Sequence, residues 1–198
     1  VRVLERSSSN EGLKYLEEAY EIYSELEGAG SQSAGLAAFY AGKVEFGKRN
    51  FKRATDYFLA ALQGLEGDIE YEGFARAYLV QVYEHRGMSD AATEHCIAIG
   101  AIAPVDPDQD YQPLFRMAPQ YPSEMLRANA QGHVDFEFTV DENGFVRNPV
   151  VIDREGGRAF EKEALAAVER FRYAPQFEDG EPVPVDGVKT RITFQIER

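Results

Sequence analysis

Residues 11–27 place Leu13, Leu16, Ala19, Tyr20, Tyr23 and Leu26 at spacings of three and four. That spacing gathers them on one face of an α-helix. Similar one-sided patterns predict helices over 33–49, 51–66, 71–86 and 89–102, with Gly28, Gly30, Gly67 and Gly87 near their ends. Beyond residue 110 the period changes to two. Over 132–140, Val134, Phe136, Phe138 and Val140 share one face, and His133, Asp135, Glu137 and Thr139 share the other. This alternation predicts a half-buried strand. Asp141-Glu-Asn-Gly144 reads as a turn, so a second strand over 145–152 returns as a hairpin with Val146, Val150 and Ile152 in phase. Gly156-Gly157 ends it. A helix over 158–171 turns Phe160, Ala164, Ala167, Val168 and Phe171 inward. Pro175 to Pro184 reads as a loop, and a last strand over 188–196 buries Val188, Ile192, Phe194 and Ile196.

The change of period coincides with a change of texture. Pro104, Pro107 and Pro113 bracket the polar run Asp106-Pro-Asp-Gln-Asp110, and proline removes helix donors and restricts its neighbour. The reading is an α+β chain of two domains: a helical domain over 1–110, joined by a linker to a strand-containing domain over 111–198. The 198 residues suffice for one or two such domains without a metal or disulfide. A single cysteine, Cys96, excludes an intramolecular disulfide and a multi-cysteine zinc site. The net charge of −13 repels phosphate backbones and anionic lipid, so nucleic acid is not an expected partner. The longest uncharged apolar stretch, Cys96 to Val105, is half of what a bilayer span needs. The chain begins at Val1 without Met, which reads as a processed or trimmed fragment, so a membrane anchor or signal peptide would lie outside it.

Within the helical half, three segments align. Leu16-Glu-Glu-Ala19 is followed by Tyr23 and Leu26, Phe51-Lys-Arg-Ala54 by Phe58 and Ala61, and Ser89-Asp-Ala-Ala92 by Cys96 and Ile99. A small residue, a large one four on and an apolar one seven on resemble the second helix of a tetratricopeptide repeat. Gly42, Leu79 and Tyr83 match first-helix positions. The resemblance implies one leftover second helix and two full helix pairs, stacked as an interaction surface. A plain helical bundle is the alternative, since the unit lengths vary and the repeat's tryptophan is absent.

The second half carries five motifs in order. They are Pro119-Gln-Tyr-Pro122, Gly132-His-Val134 with Asp141-Glu-Asn-Gly144-Phe-Val146, Phe171-Arg-Tyr-Ala-Pro175, Asp179-Gly-Glu-Pro-Val183 and Ile192-Thr-Phe194. Together, over about residues 113–197, they resemble the C-terminal domain of the TonB family of Gram-negative envelope proteins. Three departures stand out: helical repeats replace a proline-rich spacer, no anchor is present, and the domain is acidic.

A hairpin followed by a crossover helix gives an antiparallel sheet only in the order 2-1-3. Pro149 agrees, because proline fits an edge strand and not a central one. The last strand is then an open edge to which an extended peptide can add. Its outward residues are expected to be Lys189, Arg191, Thr193 and Gln195. The resemblance implies capture of a receptor's TonB-box peptide on this strand, with Gln120 nearby. The plainer reading makes Lys189 and Arg191 edge-protecting charges, and has Tyr121 and Pro122 packing and setting a turn.

No catalytic, cofactor or metal constellation emerges. His85, His95 and His133 are the only histidines, and His95 beside Cys96 reads as a helix-surface residue next to a buried one. Asp106, Asp108 and Asp110 lack the glycine and distal glutamate of a calcium loop. The expected function is therefore non-enzymatic: a periplasmic module that binds an extended segment of an outer-membrane receptor in envelope transport or energy transduction. An envelope scaffold acting through the helical repeats, with the strand domain serving for docking or homodimerisation, is the alternative. A helical regulator of an enzyme is the third reading.

Overall fold

Apolar residues every third and fourth position require helices, and small residues among them let the helices approach closely. The computed structural model describes residues 2–102 and 111–196, with side chains from residue 10 onward. They divide into two units, Val1–His95 and Cys96–Arg198. The linker expected at 104–110 and the acidic triplet Asp106, Asp108 and Asp110 lie outside the described residues.

Five helices stand close to the predicted spans: α1 (Arg2–Leu26), α2 (Gln32–Gly47), α3 (Phe51–Leu65), α4 (Ile69–His85) and α5 (Ser89–Ile102). Ser31 caps α2 by accepting from the Ala34 amide, and Asp68 caps α4 by accepting from the Tyr71 amide. Side-chain oxygens there satisfy donors that the first helical turn leaves unpaired. Gly42 of α2 lies under the Phe58 ring of α3, so close that a Cβ would stand 2.7 Å from Cε1. Phe58 in turn stacks on Tyr78 of α4, with centroids 4.9 Å apart. Ala54 and Ala92 are fully buried. The buried Glu45 carboxylate accepts from Asn50 Nδ2 at 2.7 Å and faces Arg53 and Lys48.

His95 departs from its expected place on the helix surface. It is buried, stacked on Tyr83 at 5.7 Å, with Nδ1 3.4 Å from Arg76. Glu17 of α1 accepts from Arg53 and Tyr57 of α3.

The second unit contains α6 (Ser123–Arg127), β1 (Gly132–Val140), β2 (Val146–Glu155), α7 (Arg158–Val168), β3 (Gln176–Glu178), β4 (Glu181–Val183) and β5 (Val185–Phe194). The main sheet is antiparallel in the order β2-β1-β5, which is the expected 2-1-3. One face of β1 carries Val134, Phe136, Phe138 and Val140 into a core with Phe160, Ala164 and Val168 of α7 and Ile192 and Phe194 of β5. Phe160 and Phe194 stack at 4.4 Å, and Tyr121 meets both edge-on at 5.6 Å.

Several features of this unit differ from expectation. In β2, Val150 and Ile152 are exposed and Val151 packs on the core instead. The cause is an irregularity at Asn148-Pro149, where Asn148 has φ +50° and the register jumps between Thr139↔Arg147 and Glu137↔Val150. One extra residue turns the strand's faces over. β2 also runs on to Glu155, because His133 pairs with it. α7 stops at Val168, three residues early, and Phe171 is nonetheless buried. The chain must leave the helix there so that Arg172 can pair with Phe115 on one side and Phe145 on the other. β5 begins at Val185 and ends at Phe194, opposite Gly132, so Gln195 and Ile196 have no strand partner on β1. The expected loop from Pro175 to Pro184 holds the β3–β4 hairpin, whose Asp179-Gly180 turn has φ +51° and +86°. Two positive φ values in a two-residue turn match the twist of a hairpin.

The motif Phe171-Arg-Tyr-Ala-Pro175 has a structural task. The Arg172 amide donates to Phe115 O at 3.0 Å, and its carbonyl accepts from Leu114 and Phe115. The buried Arg172 guanidinium lies 3.7 Å over the Phe145 ring and donates to Asn143 O. The Tyr173 amide donates to Gly144 O at 2.9 Å. Gly144 has φ +80°, and a Cβ there would meet Tyr173 O at 2.1 Å, so only glycine fits. Asp141 closes the same turn, accepting from the Asn143 and Phe145 amides and from Arg147. From Cys96 on, α5 belongs to this unit: a Cβ on Gly100 would stand 2.3 Å from Pro175 O.

Two outcomes follow for the helical unit. Gly42→Ala gains helix propensity but drives a methyl into the stacked, immobile Phe58 ring. We expect a net loss of about 1–3 kcal/mol in urea unfolding, and an unchanged midpoint would show that the helices are not closely packed there. For His95, burial pushes the ring pKa down to about 4, and Arg76 adds to the effect. The folded chain keeps the ring neutral, whereas the unfolded chain takes up a proton near about pH 6.5. The contribution to stability is therefore complete above about pH 6.5 and declines toward about pH 4, by on the order of 3 kcal/mol at most. His95→Gln should flatten unfolding midpoints across that window relative to the parent.

Candidate functional site

The sheet leaves β5 with one open side. Arg116, in the segment before α6, donates from Nη2 to Arg191 O at 3.2 Å. The Arg191 carbonyl therefore points away from β1. In an antiparallel strand the amide and carbonyl of one residue face the same way, and residues two apart repeat the direction. Lys189, Arg191 and Thr193 thus present their main-chain groups at the open edge, while Thr190 and Ile192 bond inward to β1. Tyr111, Gln112, Pro113 and Arg116 line a cleft of about 240 Å³ with Lys189, Thr190 and Arg191. A second cleft of about 340 Å³, at the far end of the strand, is lined by Gln131, Gly132, His133, Glu155, Arg191, Thr193, Phe194 and Gln195.

Side chains on the outer face of the sheet form cross-strand pairs. Arg191 is bidentate to Asp135, with Nε–Oδ1 2.7 Å and Nη2–Oδ2 2.6 Å. Lys189 Nζ lies 3.4 Å from Glu137, and Thr139 donates to Asp186. The Arg191 guanidinium, chiefly through its hydrogen bonds, holds the Asp135 carboxyl below the ordinary carboxylate range against the opposing effect of partial burial. At the end of the same face, His133 Nε2 lies 3.5 Å from Asp153 Oδ2, and Nδ1 lies 3.4 Å from Glu155 Oε2.

Of the five residues expected at a binding surface, Arg191 and Thr193 line the same cleft and share the open edge. Lys189 shares the edge two residues further along. Gln195 is exposed just beyond β5 and lines the second cleft. Gln120 is exposed in the segment before α6 and is not among the residues lining either cleft. Tyr121 follows the plainer reading: its ring packs on Phe160 and Phe194, and its hydroxyl donates to Ala130 O at 2.5 Å. Arg116 was missed. It sits outside any strand, and no spacing in the sequence ties it to Arg191. The convergence of His133 with Asp153 was also missed, because it depends on the register jumps of β2.

NMR titration should place the Asp135 carboxyl below the ordinary aspartate range, and Arg191→Gln should return it upward. Because the folded value is depressed, Asp135 stabilises the fold above the unfolded-state pKa and loses that contribution as pH falls through the folded one. A double-mutant cycle on this partly exposed pair should give a small coupling that added salt weakens further.

Residues 117–196 match the family model described as the Gram-negative bacterial TonB protein C-terminal. Protein TonB of Escherichia coli (strain K12) is 32% identical over 83 residues, which cover 42% of this chain and 32% of that protein. The chain thus spans about a third of the length of that curated relative. Among solved structures, the solution structure of the Pseudomonas aeruginosa TonB C-terminal domain aligns at 26% identity, covering 46% of this chain and 92% of that one, with a TM-score of 0.39. A structure of the TonB2 protein from Vibrio anguillarum aligns at 33% identity, covering 48% and 89%, with a TM-score of 0.36. The family match falls on the residues that carry the five motifs and the β2-β1-β5 sheet, so residues 117–196 are the part of this chain that is similar to the TonB C-terminal domain.

Proposed function

We propose that this chain is a non-enzymatic periplasmic module that binds an extended segment of an outer-membrane receptor by strand addition to β5, in envelope transport or energy transduction. One observation carries the reading: Lys189, Arg191 and Thr193 direct main-chain donors and acceptors away from β1 along an edge strand. An incoming peptide gains affinity from ladder hydrogen bonds and specificity from the side chains beside them. Thr193, Gln195 and the second cleft offer room at one end. At the other end Arg116 occupies the Arg191 carbonyl and must yield to a peptide that pairs there. Gln120 lies outside both clefts and contributes, in this reading, by contact with the peptide's flank.

The domain division at 110/111 and the tetratricopeptide-like character of the helical part belong to the same proposal. The close packing at Gly42 and the buried Ala54 and Ala92 support paired helices. They also support the alternative, an envelope scaffold that holds its partner on the helices and uses the β5 edge for docking or homodimerisation. Among the described residues no helix is long and apolar enough to cross a membrane, so membrane attachment would come from a segment beyond them.

Proline at Arg191 or Thr193 removes an outward donor without disturbing the β1 ladder. Each variant should stay folded and weaken binding of a receptor-derived extended peptide by about tenfold, whereas alanine at the same positions should matter less. If both folded proline variants bind like the parent, strand addition at β5 is wrong.

A further inference from the structure

Strand pairing on the outer face of the sheet brings like charges together. Asp135 of β1 stands directly opposite Asp153 of β2, and His133 stands opposite Glu155. Facing carboxylates destabilise a sheet unless a cation lies between them. Arg191 pairs directly with Asp135 from the β5 side and also lies within electrostatic reach of Asp153 and Glu155, between which the His133 ring stands.

The orientation of that ring is informative. Nδ1 faces Glu155 Oε2 at 3.4 Å, and a carboxylate beside one ring nitrogen favours the tautomer that carries its hydrogen there. Nε2 is then an acceptor. It is buried and makes no hydrogen bond, although the His133 side chain retains 19% exposure. Its neighbours are the carboxylate oxygens of Asp153 and Asp135, which are acceptors as well. The ligating atoms of His133, Asp135 and Asp153 all lie within 4.8 Å of one another. Among the described residues this is the one place where three such side chains converge.

We propose that His133, Asp135 and Asp153 form a binding site for a borderline divalent transition-metal ion of the Zn²⁺ type. Zinc accepts imidazole nitrogen and carboxylate oxygen at about 2.0–2.2 Å, which sets ligand atoms roughly 3.4 Å apart in a tetrahedron. The Nε2–Asp153 separation of 3.5 Å already suits this. The Asp153 side chain is 66% exposed, so it is free to turn toward the other two ligands. Asp135 keeps a spare lone pair on each oxygen beyond its two bonds from Arg191, and that guanidinium orients it for the metal. Glu155 plays the corresponding part for His133. The adjoining cleft, lined by His133 and Glu155, leaves space for a water as fourth ligand. Magnesium and calcium, which prefer all-oxygen sites, fit the imidazole less well.

The test is calorimetric titration of ZnCl₂ into the untagged, chelator-stripped full chain, with proton NMR of its three histidines. The parent should bind one ion per chain, and the His133 ring signals should move while those of the buried His95 stay in place. His133→Gln and Asp153→Asn should each weaken binding by about tenfold or more, and Asp186→Asn, on the same face, should leave it unchanged. Excess Mg²⁺ should not displace the zinc. No zinc uptake from micromolar to millimolar concentration would overturn the proposal. So would parent-like affinity in His133→Gln, or displacement by Mg²⁺. Should a variant fail to fold, an unmoved His133 signal in the zinc-treated parent overturns it equally.

Discussion

A buried arginine needs partners on every side, and Arg172 finds them in two segments that are remote from it in sequence. Its main chain bridges Phe115 and Phe145, its guanidinium covers the Phe145 ring, and it donates to Asn143 O. Leaving such a charge uncompensated would cost several kcal/mol, on the order of 3–5 for a broken buried pair. The β1–β2 turn, the segment before α6 and the exit from α7 are therefore fixed together. The early end of α7, the glycine at 144 and the Asp141 bonds follow from that single requirement. So does the place of Arg116, one residue from Phe115, against the β5 edge.

Much of this was legible in the sequence because it rests on local periodicity. The faces of β1, the five helices of the first half and the edge position of β2 all follow from spacing and from Pro149. Where local phase is interrupted, the reading fails. Val150 and Ile152 were placed inward because strict alternation was carried through Asn148-Pro149, and the positive φ at Asn148 is a property that asparagine tolerates without announcing it. Asp179-Gly180 carried the signal of a tight hairpin, yet the flanking prolines made a loop the simpler reading. His95 looked like a surface residue because its burial depends on where Tyr83 and Arg76 lie in a neighbouring helix.

The proposed binding surface divides in the same way. That Lys189, Arg191 and Thr193 share one side of an edge strand follows from counting alternate positions. The direction of their amides came only from Arg116, a contact across 75 residues of chain. The carboxylates around His133 were invisible for a related reason. Asp153 and Glu155 reach it only because β2 carries irregularities that shift its register against β1. The acidic surface is thus organised as well as abundant, with each cation on β5 set against a particular carboxylate on β1.

The two edges of this sheet are unlike. On β2, Pro149 withholds a donor and the register jumps break the line of amides, whereas β5 runs evenly from Val188 to Phe194. Growth of a sheet into a fibre requires that both edges accept a neighbour. Here addition at β5 leaves the opposite edge unreceptive, so assembly through strands terminates after one step. The fold can offer a sticky edge to another chain and still not polymerise.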